Sequence, residues 1–176
     1  MKIFYQGLCV RNAESADCPQ LASWWNDGKI MAHAGFPNGL GTTAEQVQEQ
    51  IKSDSDRTKR RRMIENNGFA IGEMSYYDRG GQVAEIGIKI CDTRYREKGL
   101  GRVVLSMLMK ELFSMGYTKI ILDTNLKNTR AQHVYELLGF QKVRVNVDSW
   151  TDQVGELQSS VDYALTRKDF VDWTME

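Results

Sequence analysis

The most constraining feature of this 176-residue sequence is a strand-like run that passes through two closely spaced glycines into an amphipathic run. The run VAEIGIKI begins at Val83, and the apolar residues of GLGRVVLSMLMKELFSMG recur with the 3.6-residue period of a helix. Between them lies REKGLG, residues 96–101. The first N–H groups of a helix lack intrahelical partners, and its dipole makes that end positive. Because glycine has no Cβ, a bulky anion can approach such a backbone closely.

Basic side chains surround the two glycines: Arg94, Arg96, Lys98 and Arg102. The segment is therefore expected to bind a phosphate or pyrophosphate. It is not a P-loop, since the G-x-x-x-x-G-K-[ST] spacing is absent. It is not a dinucleotide-binding fingerprint either, because position 104 is valine where the third glycine would stand. Taken alone, the two glycines are equally consistent with a simple turn among solvated charges.

Composition predicts one globular domain spanning residues 1–176. Hydrophobic residues make up 41% of the chain, and 23 basic residues balance 23 acidic ones. The balanced charge gives no reason to expect a nucleic-acid or membrane partner. The basic run RTKRRR, residues 57–62, is interpreted as the polar edge of a strand and the loop before it.

The three cysteines, Cys9, Cys18 and Cys91, have no metal-ligand spacing. We therefore expect reduced thiols in a cytoplasmic protein and no metal site. The N-terminus lacks the apolar segment of a signal peptide, and no apolar run approaches the ~20 residues of a membrane span.

The first half of the chain is expected to contain a strand at 7–13 and two helices. The first helix should begin at Asp17 as N-cap, with Pro19 in its first turn. The second should begin with a capping box formed by Thr42 and Glu45. The glycine-rich segment 35–41 between the helices is predicted to be a loop.

The second half begins with a predicted meander. The dipeptide NG at 67–68 and the segment DRGG at 78–81 should connect three antiparallel strands, the last being VAEIGIKI. The long helix should end near Gly116, and a buried strand, KIILD, should follow. A shorter helix with Asn128 as N-cap and Gly139 after its end then leads to a closing hairpin. This order predicts an α+β fold with a mixed, mostly antiparallel sheet flanked by about four helices.

With these elements in order, the sequence resembles the GNAT superfamily of N-acetyltransferases. REKGLG fits the acetyl-CoA motif [Q/R]-x-x-G-x-[G/A], and NLKNTRAQHVYELLGF, residues 125–140, fits the second motif of the superfamily. The segments AEIGIKI, LASWWND and VDYALTRKDF look most like the RimJ/RimL-type subgroup. The resemblance covers roughly residues 8–170.

The resemblance implies a GNAT-like fold and acetyl-CoA as cofactor, with CoA as product. Its pyrophosphate would lie on the N–H groups between Lys98 and Arg102, and its pantetheine arm would pair with the strand that carries Ile88 and Ile90. Asn128 would hydrogen-bond the arm. The residues expected to contact the cofactor are Ile88, Ile90, Arg96, Lys98, Gly99, Leu100, Gly101, Arg102, Asn128 and Tyr135.

The implied reaction is direct attack of an amine on a thioester. Tyr135 would protonate the leaving thiolate, and a backbone N–H near Ile90 would stabilise the oxyanion. Asp123, at the end of KIILD, is the first candidate for the group that takes the proton of the amine, and Glu85 is the second. Without the resemblance, Tyr135 is better interpreted as an amphipathic side chain that caps a helix face, and each carboxylate, taken alone, as a paired and solvated group.

In the superfamily, the acceptor site is formed by the first helix and the loop after it. The candidate substrate residues are Trp24, Trp25, Asp27, Met31 and Phe36. An aromatic and mildly acidic pocket of this kind suits a cationic amine. The tryptophans are also good core residues, and at least one is expected to pack in the interior. His133 is interpreted as a surface residue, and His33 is a weak candidate for substrate contact.

The first functional hypothesis is an N-acetyltransferase acting on a protein N-terminus or a small-molecule amine. The alternatives are an aminoglycoside or polyamine N-acetyltransferase, and a non-catalytic acyl-CoA-binding module. A homodimer is compatible with the sheet edges expected near the C-terminus.

Overall fold

The computed structural model of the chain describes residues 2–175. One eight-stranded sheet has the order β1-β2-β3-β4-β5-β6-β8-β7. Its strands are β1 Lys2–Tyr5, β2 Leu8–Asn12, β3 Lys59–Asn66, β4 Phe69–Asp78, β5 Val83–Ile90, β6 Lys119–Asn125, β7 Gln141–Thr151 and β8 Leu157–Thr166. The helices are α1 Cys18–Trp25, α2 Gly28–Met31, α3 Ala44–Lys52, α4 Leu100–Ser114 and α5 Thr129–Leu137. The predicted α+β architecture is confirmed, with a single-turn helix, α2, in addition to the four expected.

The predicted meander β3-β4-β5 is present. Asn67 and Gly68 have φ values of 49° and 83°, which both positions of a tight type I′ hairpin turn require. Strand β1 is an addition that the sequence did not reveal. It pairs with β2 through a second turn of this kind, at Gln6 and Gly7, and a Gln-Gly pair is a much weaker hairpin signal than Asn-Gly.

The sheet divides between β5 and β6, the one parallel pair among the described strands. The two strands pair only at Val83↔Lys119, Ala84↔Ile120 and Glu85↔Ile121. Beyond these three pairs β5 continues to Ile90 while β6 stays paired with β8 on its other side. The strands therefore separate, and a wedge-shaped opening lies between them.

Two hydrophobic cores cover opposite faces of the sheet. Helices α4 and α5 pack on one face, where Leu108, Tyr76 and Ile120 are fully buried. Helices α1 and α3 pack on the other face around Leu21 and Val47. The long α4 thus holds its N-terminus against the β5 side of the opening.

Of the two predicted helix starts, the capping box of the second was wrong, and the N-cap of the first was confirmed in position. The capping box of α3 is formed by Thr43 and Gln46, one residue later than expected, because Thr43 has the extended backbone that an N-cap needs. Asp17 is the N-cap residue of α1, as expected, but its side chain makes no capping hydrogen bond to the helix. Its carboxylate instead accepts hydrogen bonds from Arg11 and from the Glu14 N–H, at 2.7–2.8 Å.

The interpretation of RTKRRR as a polar edge was also wrong for its last two members. Arg61 is buried and paired with Asp54 at 2.6 Å. Arg62 is 1% exposed and paired with Glu111 of α4 at 2.8 Å. The two arginines lie on β3, which is an interior strand of the sheet. Because the fold removes their charges from water, each is neutralised by an oppositely charged side chain.

Strand β7 forms one end of the sheet. Three of its valines, Val143, Val145 and Val147, are 65%, 42% and 72% exposed. The three cysteines are buried free thiols, as expected. No helix within residues 2–175 combines the length and apolarity needed to cross a membrane.

Candidate active site

The opening between β5 and β6 belongs to a groove of about 1270 Å³. Its walls are β5 from Ile86 to Ile90, the start of α4, the end of β6 and one side of α5. A segment comprising α2 and the following 3₁₀ turn, Ala32–Ala34, lies at its edge. Residues of both motifs identified in the sequence, REKGLG and NLKNTRAQHVYELLGF, therefore line the same groove.

The N-terminus of α4 meets the groove at Gly99, which is the N-cap residue. Its φ is 73°, a left-handed conformation that favours glycine, and a Cβ there would lie 3.1 Å from the Arg102 guanidinium. Gly101 differs, because a Cβ there would meet only Val134 Cγ1, at 3.9 Å. Gly99 is thus required by the backbone itself, whereas Gly101 keeps the space in front of the helix open.

Cations surround this end of the groove. Arg96 donates from Nε to the Ile90 carbonyl oxygen at 3.0 Å, and Arg102 lies 4.3 Å from the ring centroid of Trp173. Lys127 and Arg130, which the motifs did not point to, also line the groove, and Arg130 is paired with Glu97. Lys98 is exposed and does not contribute to the lining. An anion at the α4 N-terminus would thus meet positive charge from both walls.

The free edge of β5 can pair with a ligand. The N–H of Cys91 donates to the Ile71 carbonyl on β4, at 2.9 Å. Because backbone groups of successive residues point to opposite edges of a strand, the N–H groups of Ile88 and Ile90 point into the opening. Both residues line the groove, as does Asn128, whose Oδ1 caps α5 by accepting from the Ala131 N–H at 3.3 Å.

Tyr135 projects from α5 into the groove and is only 6% exposed. Its ring packs against Phe140 and Tyr163, with centroids 5.8 and 5.9 Å away. Burial raises the pKa of its phenol well above the ordinary value, and the negative charge of Asp123 adds to the effect. Tyr135 therefore stays protonated over the whole physiological range and can act as a proton donor.

Asp123 lies on β6, two residues beyond the last β5–β6 pair. Its side chain is accessible from the groove, yet the surrounding walls desolvate it and raise the pKa of its carboxyl group. The charges of Glu85 and Asp162 raise the pKa further. Asp162, which the sequence analysis did not identify, lies directly opposite Asp123 on β8. A carboxylate with a raised pKa accepts a proton more readily than an ordinary one.

Glu85 is farther from the centre of the groove. Its carboxylate is paired with Arg79, and the residue does not contribute to the groove lining. Glu85 thus influences Asp123 through its charge, while its own carboxylate is held by Arg79 outside the groove lining.

The five candidate substrate residues occupy three different environments. Trp25 and Met31 line a smaller, separate cavity beside the groove. Trp24 and Phe36 pack into the core under α1 and α3. Asp27 caps α2 by accepting from the Lys29 N–H at 2.8 Å. Residues lining the groove on this side also include Lys29, His33, His133 and Trp150.

Gln153, in the turn between β7 and β8, joins the glycine-rich loop 35–41 to the opposite half of the sheet. Its N–H and its side-chain NH₂ donate to the carbonyl oxygens of Gly35 and Gly39, and its side-chain oxygen accepts from the Asn38 N–H. All three distances are 2.9 Å. Trp150 also packs against Gly35, where a Cβ would lie 2.5 Å from the indole. This set of contacts, the Gln153 clasp, fixes the loop beside the groove.

The groove suits an elongated ligand with an anionic end and a polar arm. One end supplies helix N–H groups and cations, the middle supplies a free strand edge, and Tyr135 and Asp123 lie near the point where the strands meet. Among residues 2–175, no three His, Cys, Asp or Glu side chains lie close enough together to hold a metal ion.

Comparison with solved structures shows the same fold in several acetyltransferases. RimL, the ribosomal L7/L12 alpha-N-protein acetyltransferase in complex with coenzyme A, has a TM-score of 0.84 at 16% identity, covering 94% of this chain and 98% of its own. Spermidine N-acetyltransferase from Vibrio cholerae, in complex with CoA and spermine, has a TM-score of 0.82 at 22% identity, covering 93% and 97%. Ribosomal-protein-S5-alanine acetyltransferase from Vibrio fischeri has a TM-score of 0.81 at 15% identity, covering 97% and 99%.

The search of curated protein sequences gave no significant match. The family model described as "Acetyltransferase (GNAT) domain" matches residues 7–141, which include the groove walls from β5 through α5. The chain therefore belongs to the GNAT acetyltransferase family and is an acetyl-CoA-dependent acyltransferase.

Proposed function

We propose that the protein transfers the acetyl group of acetyl-CoA to a primary amine by direct attack, with a small molecule or a protein N-terminus as acceptor. The observation that carries this proposal is the meeting of Tyr135 and Asp123 in one groove with the α4 N-terminus and the free edge of β5. The protonated phenol of Tyr135 and the carboxylate of Asp123 would be the proton donor and the proton acceptor that the reaction requires.

The cofactor supplies an activated acetyl thioester. The N–H groups at residues 98–102 would hold its pyrophosphate, supported by Arg96 and Arg102. The free N–H groups of Ile88 and Ile90 would pair with the pantetheine arm, as an added strand would. The side-chain NH₂ of Asn128 has no partner within residues 2–175, so it is free to bind the same arm.

Asp123 would accept the proton of the incoming ammonium, because its raised pKa brings it closer to the working pH than an ordinary carboxyl. Tyr135 would donate a proton to the departing sulfur. The N–H of Ile90 would donate to the developing oxyanion. Glu85 would influence the reaction through its charge on Asp123, since Arg79 holds its carboxylate.

The acceptor class is proposed as that of the RimJ/RimL type, and the aminoglycoside and polyamine alternatives are less favoured. The cavity beside the groove is lined by Lys59, a cation without a carboxylate partner within residues 2–175, which would disfavour a polycation. The buried Tyr135, with its proton-donating phenol, argues against a purely acyl-CoA-binding module. We further propose that residues 1–176 act as one domain in the cytoplasm and that no metal takes part.

Two measurements test this proposal. Acetyl-CoA at ~100 times its Kd should stabilise the fold by ~2.7 kcal/mol, which raises the Tm of a chain of this size by about 5–11 °C. Thiol release should then be followed with a panel of amines. Tyr135→Phe should lower kcat with little effect on CoA affinity, whereas Tyr163→Phe, a phenol outside the groove lining, should not. A correctly folded protein without a Tm shift would refute cofactor binding, and equal kcat for both variants would refute the role of Tyr135.

A further inference from the structure

A second cavity of about 300 Å³ lies on the α1–α3 face of the sheet, and we name it the side cavity. Trp25, Met31, Lys59 and Glu73 are among its lining residues. It shares Gly87, Ile88 and Lys89 with the groove, so β5 forms a common wall. Its volume is at the lower end of the range for small-molecule sites.

Most charges in the side cavity are already paired. Arg61 is neutralised by Asp54 at 2.6 Å, with side-chain exposures of 9% and 3%. Lys89 lies 3.5 Å from Glu73, whose carboxylate also accepts from the indole N–H of Trp25 at 2.6 Å. The sequence predicted an aromatic and acidic acceptor pocket, but Trp25 here lies beside three basic side chains.

Lys59 is the exception. Its Nζ lies 4.4 Å from the ring centroid of Tyr77, and no carboxylate within residues 2–175 pairs with it. The side cavity therefore holds one cation more than its paired charges balance. A half-buried ammonium beside a cavity is a good partner for an anionic ligand group, because a charged hydrogen bond is stronger where water is partly excluded.

Gly87 connects the two cavities. Its backbone is not left-handed, and an added Cβ would meet only the Ser75 hydroxyl, at an ordinary 3.4 Å. The fold therefore does not demand glycine at this position. The missing side chain leaves the face of β5 bare where the side cavity and the groove adjoin.

We propose that the side cavity binds a carboxylate carried by the acceptor, whose amine extends past Gly87 toward Asp123. The inference rests on the proposed N-acetyltransferase function and specifies its substrate class. An acceptor with an ammonium at one end and a carboxylate at the other matches the negative Asp123 and the positive Lys59. A polyamine or aminoglycoside would instead bring a second cation to Lys59, which has no carboxylate partner within residues 2–175, and like charges placed together disfavour such substrates.

Two kinds of acceptor carry both an amine and a carboxylate: an amino acid, and a peptide with an acidic N-terminal residue. The test compares matched acceptors that differ only in the carboxylate: an ω-amino acid against the amino alcohol of equal length, and peptides starting with Glu against those starting with Gln. In at least one pair, kcat/KM should be about tenfold or more higher for the carboxylate member, equivalent to ~1.4 kcal/mol. The pair that responds identifies the kind of acceptor. Equal values in both pairs, or a preference for spermidine, would overturn the inference.

Variants of Lys59 and Gly87 test whether the side cavity causes the preference for an acceptor with a carboxylate. Lys59→Met should reduce the preference for the carboxylate at least fivefold, whereas Lys52→Met, an exposed lysine on α3, should leave that ratio unchanged. Gly87→Val should abolish turnover of every acceptor while acetyl-CoA still raises the Tm. An unchanged ratio in Lys59→Met, or full turnover in Gly87→Val, would contradict the inference. If acetyl-CoA binds but no amine releases thiol, the proposed function itself has failed; if amines react without a carboxylate preference, only the side-cavity inference has failed.

Discussion

Replacing Glu111 by glutamine should destabilise the protein strongly without touching the groove. Glu111 pairs with Arg62 through two contacts, Nη2–Oε1 at 2.9 Å and Nη1–Oε2 at 2.8 Å. The side chains are 1% and 5% exposed, and the Nε of Arg62 has no hydrogen-bond partner within residues 2–175. The neutral amide would leave the arginine charge buried without its counter-charge.

The burial sets the magnitude of the effect. Exposed ion pairs contribute only ~0–1 kcal/mol, whereas removing one partner of a buried pair costs ~3–5 kcal/mol. Glutamine keeps the shape of the side chain and one acceptor oxygen, so we expect the lower end, about 3 kcal/mol. For a chain of this length the corresponding fall in Tm is about 6–12 °C.

Urea denaturation followed by tryptophan fluorescence measures the change directly. The midpoint should fall while the m-value stays constant, because the surface exposed on unfolding is unchanged. Glu49→Gln is the matched control, since it breaks an exposed pair with Lys52 on α3. A loss below ~1 kcal/mol for Glu111→Gln would refute the reasoning. The double variant Arg62→Met/Glu111→Leu should recover most of the loss.

Three further predictions concern the groove. Gly99→Ala should cost ~1–2 kcal/mol of stability, because φ at this position is 73°, and should weaken acetyl-CoA binding measured by calorimetry. Gly101→Ala should be neutral or stabilising by up to ~1 kcal/mol. Equal losses of stability in the two variants would contradict this difference. Asp162→Asn removes a like charge opposite Asp123 and so lowers the pKa of the Asp123 carboxyl group. The acidic limb of the pH profile of kcat/KM should therefore move to lower pH. An unmoved limb would exclude Asp123 as the titrating group. Gln153→Ala removes the two side-chain hydrogen bonds to the glycine-rich loop and keeps the backbone one to Gly35, so it should raise KM for the acceptor severalfold with acetyl-CoA affinity unchanged. An unchanged KM would show that the Gln153 side chain does not position the loop.

Much of the fold was predictable because its signals are local. The Asn67-Gly68 turn, the Asn128 cap and the glycines that end α4 and α5 each depend on a few adjacent residues. Strand β1 was missed because it is four residues long and its turn lacks a strong signal. The burial of Arg62 was missed for a different reason: a basic run resembles a solvated surface until its partner, 49 residues away, is known.

The residues of the candidate site also fall into those that the sequence could reveal and those that it could not. Gly99, Asp123, Asn128 and Tyr135 belong to contiguous motifs, so the sequence brought them to notice. Asp162 could not be found, because the position of β8 beside β6 and its register decide what faces Asp123. Gln153 depends on a longer connection, since it joins loop 35–41 to the turn between β7 and β8. Lys59 lines the side cavity because β3, β4 and β5 are neighbouring strands, which its own sequence context does not show. The residues proposed to select the acceptor are therefore less visible in the sequence than those proposed to hold the cofactor.

The separation of β5 from β6 has a consequence for the purified protein. The free edge of β5 is a template for pairing with another chain, and such edges promote aggregation. Here the edge lies within the groove, whose other walls include α5 and the segment that follows α2, so we expect a slender cofactor arm to reach it more readily than a second protein strand. Strand β7 has no such cover along its exposed valines, Val143, Val145 and Val147. We therefore expect solubility to depend on β7 and to be nearly the same with and without acetyl-CoA.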